Sequence, residues 1–184
     1  MLLFVGLGNP TPNSENNRHN IGFKIIDSIN KQFGLSKQKP KFKGLLTTGS
    51  IENTKVYAIK PLTFMNNSGI CIRELLEYFK IEPDNVVVFH DDLDIEFGKI
   101  KAKFGGTDAG HNGIKSLDKF IGKDYSRVRI GIGKPDKIKV NEFVLGDFNE
   151  EEIIQLGEIS KKIIESLNLL IEKKLDLFSS KINN

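Results

Sequence analysis

One short segment near the start of the chain, VGLGNPTPNSENNRHNIG, carries Asn9, His19 and Asn20. It offers an imidazole and several amides but no serine elbow and no cysteine. A neutral imidazole beside amide hydrogen-bonding groups suits activation of water, with the histidine as general base. The segment follows an apolar run, so these side chains are expected at a strand end, where α/β proteins present residues to a ligand crevice. A hydrogen-bonded structural histidine is the alternative interpretation.

A second polar segment, HDDLD (90–94), closes the apolar run VVVF (86–89). Carboxylates beside a histidine could bind a divalent metal, although no two histidines of the chain share the spacing of metal ligands. An aspartate at a strand end can instead accept a hydrogen bond from an imidazole, which fixes the tautomer of the ring and stabilises its protonated form. Asp91 is the candidate for that role toward His19.

Two further segments, FMNNSG (64–69) and GGTDAGHNG (105–113), precede predicted helices. Helix capping and core packing are the alternative for the first, and a flexible connection is the alternative for the second. Amide side chains such as those of Asn66 and Asn112 both donate and accept hydrogen bonds, so they can hold a peptide or an ester. The residues alone therefore indicate a water-activating hydrolase or an amide-binding module.

The sequence contains no complete nucleotide-binding motif. Gly6-Leu7-Gly8 follows a strand, but Thr11 replaces the third glycine of a dinucleotide fingerprint, and prolines interrupt the place where its helix would begin. No Walker-type Gly-Lys-Ser occurs either. We therefore expect no nucleotide cofactor.

Composition is that of an ordinary globular protein, with 184 residues, 39% hydrophobic and 28% charged. This length favours one domain, and no apolar run approaches the roughly 20 residues needed to span a bilayer. The start MLLFVGLG is interpreted as a strand and not as a signal peptide, and the lone Cys71 as a buried thiol of a cytosolic protein. The net charge is only +3, but lysines concentrate at 37–43, 99–103 and 134–139, which together could form a footprint for a polyanion.

Apolar periodicity predicts strands alternating with helices, hence an α/β domain whose mixed, twisted sheet is flanked by helices. The predicted strands are 2–6, 44–50, 54–60, 86–90, 95–103 and 127–133. The predicted helices run from Ile21 to Gly34, from Ser68, over 111–122, and from about Asn149 as a long C-terminal helix. In strand 127–133 the alternation sets Arg127 and Arg129 on an outward face.

Six motifs, VGLGNP, RHNIGF, PLTFMNNSG, HDDLD, GHNGIKS and RVRIGIGKP, occur in an order and at separations that resemble the bacterial peptidyl-tRNA hydrolases. The resemblance covers essentially the whole chain. It implies one peptidyl-tRNA hydrolase-like domain over 1–184, cytoplasmic and monomeric, with no metal or other cofactor. The implied reaction cleaves the ester between peptide and tRNA, which recycles tRNA from stalled or aborted translation.

The same resemblance implies roles for individual residues. His19 matches the base that activates water, Asp91 the residue that stabilises it, and Asn9 the position that helps to distinguish peptidyl-tRNA from free aminoacyl-tRNA. The implied contacts to peptide and tRNA are Phe64, Met65, Asn66 and Asn112, with Lys103 and Arg129 directed to phosphates of the acceptor arm.

The chain departs from the family pattern at three places. Thr11 and Ser14 stand where a glycine and an aromatic are usual, Asn17 stands where threonine is usual, and the loop GGTDAG is less uniformly glycine. The missing aromatic changes how a substrate could stack near His19, and the loop is expected to be stiffer.

The same residues are compatible with two other functions. One is a metal-dependent phosphoesterase built on His19, His90, Asp91 and His111. The other is an RNA-binding relative that has lost catalysis.

Overall fold

The computed structural model describes all 184 residues, which form seven strands and seven α-helices. The strands are β1 (Leu2–Gly6), β2 (Lys39–Lys41), β3 (Gly44–Ile51), β4 (Thr54–Pro61), β5 (Val86–Asp92), β6 (Ile100–Phe104) and β7 (Ser126–Gly131). The helices are α1 (Ile21–Phe33), α2 (Ser68–Phe79), α3 (Asn112–Ile121), α4 (Val140–Val144), α5 (Glu150–Glu165), α6 (Leu167–Ile171) and α7 (Leu175–Asn183).

All seven strands belong to one sheet with the order β2-β3-β4-β1-β5-β7-β6. The inner strands β4, β1, β5 and β7 run parallel, whereas β2, β3 and β6 pair antiparallel with their neighbours. The predicted α/β class and mixed sheet are thus confirmed. Because β1 and β5 are parallel neighbours, the segments that leave their carboxyl ends begin side by side.

The apolar run of β1 is buried on both faces, as its continuous hydrophobicity predicts. Leu2 and Phe4 join a core beneath α1 and α5, while Leu3 and Val5 join a second core beneath α2 and α3. Two cores on opposite faces fix the central strands, and hence the carboxyl edge of the sheet, rigidly.

Local signals set the element ends. Gly34 adopts the left-handed conformation (φ 58°) that stops α1. Glu52 and Asn53 have positive φ values of 48° and 64°, which closes the hairpin between β3 and β4. Asn149 caps α5 through a capping box with Glu152, so the predicted C-terminal helix begins where expected. It ends at Glu165 and is followed by the shorter α6 and α7.

Three details differ from the sequence expectations. The lysine-rich segment contains the edge strand β2, whose Pro40 is tolerated because an edge strand needs fewer ladder bonds. The strand predicted at 95–103 begins only at Ile100, after a turn. Arg127 is not on an outward face: it is 1% exposed, because β7 is an inner strand whose face is covered by the loop at Thr107.

No α-helix of the structure is both long enough and apolar enough to cross a lipid bilayer.

Candidate active site

His19 and Asp91 meet at the carboxyl edge of the sheet. His19 lies in a short 3-10 helix, Arg18–Asn20, that precedes α1, and Asp91 is the penultimate residue of β5. The Nδ1 atom of His19 lies 2.9 Å from each carboxylate oxygen of Asp91. A carboxylate only accepts, so Nδ1 carries the proton and Nε2 keeps its lone pair. This is the tautomer that a general base requires.

His111 is a second imidazole on the same carboxylate. Its Nε2 lies 2.8 Å from Asp91 Oδ1. Its Nδ1 accepts from the backbone N–H groups of Gly113 and Ile114 at 3.1 and 3.3 Å, which makes His111 the N-cap of α3. Nδ1 is therefore an acceptor and Nε2 a donor. The His111 ring is thus fixed between a helix N-terminus and the carboxylate.

His90 completes the cluster, so all three histidines of the chain surround Asp91. Its Nδ1 donates to the backbone oxygen of Asp91 at 2.8 Å, and its ring packs edge-on against that of His111. Burial, and then the neighbouring His111, lowers the pKa of His90 to about 3. His90 is thus a neutral packing element near neutral pH.

Asp91 stays ionised in this surrounding. Burial on its own raises the pKa of the Asp91 carboxyl, but the interactions with His111 and then His19 outweigh it and hold the pKa below its ordinary value. An ionised carboxylate can stabilise a positive charge that develops on His19.

The cluster His19, Asp91 and His111 is the one group that could be considered for a metal ion, since its ligand atoms lie within 4.8 Å of one another. A metal ligand must offer a lone pair, and Nε2 of His111 has none while Nδ1 accepts from two backbone N–H groups. The residues present do not fit a metal, which argues against the phosphoesterase alternative.

Asn9 is held from two sides. Its backbone N–H donates to Asn20 Oδ1 at 2.9 Å, and Asn20 Nδ2 donates back to Asn9 O at 2.8 Å. Its side-chain Oδ1 accepts from the backbone N–H of Met65 at 2.9 Å. The acceptor of this amide is therefore occupied, and its two N–H donors are oriented away from that contact.

The segment Phe64–Asn66 presents two exposed side chains and one buried one. Phe64 is 53% exposed and has a positive φ of 63°, which is uncommon outside glycine. Asn66 is exposed, whereas Met65 is 4% exposed and packs in the core beneath α2 and α3. Met65 reaches the site through its backbone and not through its side chain.

A cavity of about 420 Å³ opens beside His19. Asn112 lines it, but Asn9, Phe64, Met65 and Asn66 do not. The lining residues are His19, His90, Asp91, Asp92, Leu93, Asp94, Asp108, Ala109, Gly110, His111, Asn112, Lys134, Pro135, Ile138, Val140, Asn141 and Val144. Apart from Lys103 and Arg129, the predicted site residues thus fall into two groups, one within this cleft and one around Asn9.

Residues that depart from the family pattern make defined local contacts or adopt defined backbone conformations. The hydroxyl groups of Thr11 and Ser14 lie 2.5 Å apart and hydrogen-bond to each other. In the loop GGTDAG, Ala109 has a positive φ of 48°, a conformation that glycine adopts at less cost.

Lys103 and Arg129 lie on one face of the β6–β7 pair, together with Lys101 and Arg127. Arg129 Nε donates to Asp92 Oδ2 at 2.7 Å, which leaves the two terminal nitrogens of the guanidinium. Partial burial, and then the nearby Arg129, lowers the pKa of Lys103. The two cations face a common surface.

Two residues make contacts that the sequence patterns do not reveal. His111 is predicted only as a metal ligand or a helix-start residue, although its place at the start of α3 makes it a candidate N-cap. Asn20 shares a segment with Asn9 and His19, but its reciprocal pairing with Asn9 carries no local sequence signal.

Comparison of the sequence with known proteins identifies one family. The family model described as Peptidyl-tRNA hydrolase matches residues 3–184. A protein named peptidyl-tRNA hydrolase from Pelagibacter ubique is 75% identical over all of both chains. Another from Bacillus subtilis is 42% identical over 94% of this chain and 93% of its own.

A solved structure agrees with the sequence relatives. The crystal structure of peptidyl-tRNA hydrolase from Acinetobacter baumannii superposes with a TM-score of 0.92 at 34% identity, covering 100% of this chain and 94% of its own. The similarity therefore extends over the complete fold described above.

Proposed function

Since the chain belongs to the peptidyl-tRNA hydrolase family, we propose that His19 is the general base of an enzyme that hydrolyses peptidyl-tRNA. The observation that carries this assignment is the His19–Asp91 pair, with Nδ1 held 2.9 Å from the carboxylate and Nε2 left as a lone pair beside the cleft. The products are free tRNA and the peptide, and the reaction recycles tRNA from stalled or aborted translation.

The chemistry needs one base and one oriented water. Nε2 of His19 takes a proton from water while the oxygen adds to the ester carbonyl. The tetrahedral intermediate collapses, the bond to the ribose oxygen breaks, and the imidazolium returns the proton to that oxygen. Asp91 stabilises the imidazolium between these steps and keeps the ring in its working tautomer.

Three asparagines supply hydrogen bonds to the acyl part. The free N–H donors of Asn9 can bind a carbonyl, which an N-blocked aminoacyl group has and a free α-ammonium lacks. Asn66 and Asn112 are both exposed and can donate to the peptide backbone or to the developing oxyanion. Phe64 offers an exposed ring against which substrate packs, and Met65 supports this wall from beneath.

Lys103 and Arg129 are assigned to phosphates of the acceptor arm. Contacts to the phosphate backbone of tRNA do not depend on the base sequence, which suits an enzyme acting on many tRNAs. The positive face of the β6–β7 pair supports this assignment.

The enzyme is proposed to act as a monomer in the cytoplasm, without metal or other cofactor. The hydrogen bonds that orient His19, His111 and Asn9 are all made within the chain, which supports this proposal. The tautomer of His111 supports a reaction that proceeds without a metal at Asp91.

The test is a comparison of two substrates that differ only at the α-nitrogen. Purified protein is incubated with N-acetyl-aminoacyl-tRNA and with the same aminoacyl-tRNA left unacetylated, and release of the amino acid is followed. We expect rapid cleavage of the acetylated form only. Binding of both without cleavage would favour the RNA-binding relative, and equal cleavage of both would contradict the role of Asn9.

A further inference from the structure

The residues directly before His19 are paired with a distant part of the chain. The backbone N–H of Arg18 donates to Gly146 O at 3.0 Å, and the N–H of Phe148 donates to Asn16 O at 3.1 Å. A strand-like bridge thus joins the catalytic loop to the segment that follows α4. Within the same bridge, the side chain of Asn17 donates to Asp147 Oδ1 at 2.7 Å.

The side chain of Arg18 reinforces this bridge. Its guanidinium lies 4.4 Å from the centre of the Phe143 ring and 5.7 Å from that of Phe148. It also reaches the backbone oxygen of Phe143 and the carboxylate of Glu152, each at 3.4 Å. With 14% of its side chain exposed, this cation is largely desolvated, which strengthens its attraction to the rings.

Phe143 belongs to α4, and α4 forms part of the wall of the cleft that Asp91 also lines. The wall residues Lys134, Pro135, Ile138, Val140, Asn141 and Val144 line the cavity beside His19. Ile138 and Val140 are about half exposed, so this part of the wall is not fixed by burial, whereas Val144 at the end of α4 is buried in the core. Phe143, which packs beside that core, is also held by Arg18.

We propose that Arg18 is a positioning residue that clamps the cleft wall 134–144 against the catalytic loop and thereby sets the affinity for substrate. The proposal rests on the proposed function and deepens it. His19 itself is oriented by Asp91, so loss of the clamp acts on the wall and not on the base. The expected effect is therefore on KM, with kcat nearly unchanged.

The experiment compares Arg18→Ala, Arg18→Lys and Phe143→Leu with a matched control, Arg73→Ala. Arg73 makes the same kinds of contact at a more exposed place, with 52% of its side chain exposed, and lies 5.3 Å from the Phe120 ring and 3.6 Å from Glu77 on α2. Two readouts are taken well below the unfolding temperature of every variant: kcat and KM on N-acetyl-aminoacyl-tRNA, and amide hydrogen exchange.

We expect Arg18→Ala to raise KM by about five- to tenfold, with kcat within about threefold of the wild type. Phe143→Leu should give a smaller rise, because Arg18 keeps its contacts with Phe148 and Glu152. The double variant Arg18→Ala/Phe143→Leu should raise KM no more than Arg18→Ala alone, because Arg18→Ala already removes the contact with the Phe143 ring. Arg18→Lys, which keeps the charge but not the planar stack, should fall between. Arg73→Ala should match the wild type.

Exchange tests the clamp independently of activity. In Arg18→Ala, the amides of Leu145, Gly146 and Phe148 should lose protection while those of α2 and α3 keep theirs. A uniform loss of protection with unchanged KM would show a merely structural arginine and overturn the proposal. A wild-type protein that does not cleave N-acetyl-aminoacyl-tRNA would overturn the proposed function. In that case the clamp is still tested by exchange, and unchanged protection of these three amides in Arg18→Ala would overturn it.

Discussion

The Nε2 atom of His111 lies 2.8 Å from Asp91 Oδ1, the same oxygen that accepts from His19. One carboxylate therefore receives two imidazole donors, one from the base and one from the N-cap of α3. This arrangement keeps Asp91 ionised and ties the loop before α3 to the catalytic pair. We therefore expect substitution of Asp91, chelating agents, mild acid and salt each to affect activity or stability differently.

Replacing Asp91 with asparagine should lower kcat by about 10²–10⁴-fold with a smaller change in KM. The amide still bonds to an imidazole, but it can select the wrong tautomer of His19 and cannot stabilise an imidazolium. Steady-state kinetics on N-acetyl-aminoacyl-tRNA measure this, with circular dichroism as the check on folding. An unchanged kcat would reduce Asp91 to a turn residue.

Chelation should leave the reaction intact. Treatment with 1,10-phenanthroline, with Mg²⁺ kept present for the tRNA, should give rates within about twofold of untreated enzyme, because His111 has no lone pair for a metal at Asp91. Loss of activity that Zn²⁺ or Co²⁺ restores would revive the metal-dependent alternative.

His90 should make the fold sensitive to mild acid. Its pKa is about 3 in the folded protein against an ordinary 6.5, so between these values the unfolded chain binds a proton that the folded chain does not. Stability is then complete above pH 6.5 and falls as the pH drops toward 3, by up to about 1.4 kcal/mol per pH unit.

Urea unfolding of the wild type and of His90→Asn from pH 7.5 to 4.5 measures this slope. The variant should lose less stability than the wild type over that range, since it has no imidazole to protonate at this position. Asp91, whose lowered pKa matters only below the ordinary range of a carboxyl, contributes the same in both proteins. Parallel curves would contradict the assignment of the acid sensitivity to His90.

Removing either basic residue of the β6–β7 face, as in Lys103→Ala or Arg129→Ala, should raise KM for all tRNAs alike. The salt dependence of binding should flatten by roughly 0.7–0.9 in log–log slope for each phosphate that no longer pairs with a protein cation. A minimal ester substrate serves as the control, because its hydrolysis should not change. Arg129 also pairs with Asp92. If Arg129→Ala leaves the salt slope unaltered, Arg129 serves only as the ion-pair partner of Asp92 and does not contact tRNA.

Much of the fold could be predicted because buried parallel strands have continuous apolar runs, as in β1 and β5. The adjacency of His19 and Asp91 followed from the same logic, since Asp91 lies near the carboxyl end of β5 and His19 follows β1, its parallel neighbour. The burial of Arg127 could not be predicted: alternation says which residues share a face, but not that a loop covers it.

The contact of His111 with Asp91 lay beyond sequence reasoning for a related reason. It depends on the path of the loop before α3, which Arg127 fixes by donating to Thr107 O at 2.8 Å. The clamp at Arg18 likewise joins residues more than a hundred positions apart. Such contacts are set by tertiary packing and have no local periodicity.

The central claim is that His19 activates water. It is tested most directly by single-turnover hydrolysis of N-acetyl-aminoacyl-tRNA with the wild type and His19→Ala, at enzyme concentrations that saturate both. We predict that the variant stays folded, binds the substrate, and cleaves it about 10²–10⁴-fold more slowly. A folded variant that keeps more than about half of the wild-type rate would contradict the claim, because loss of a general base cannot cost so little.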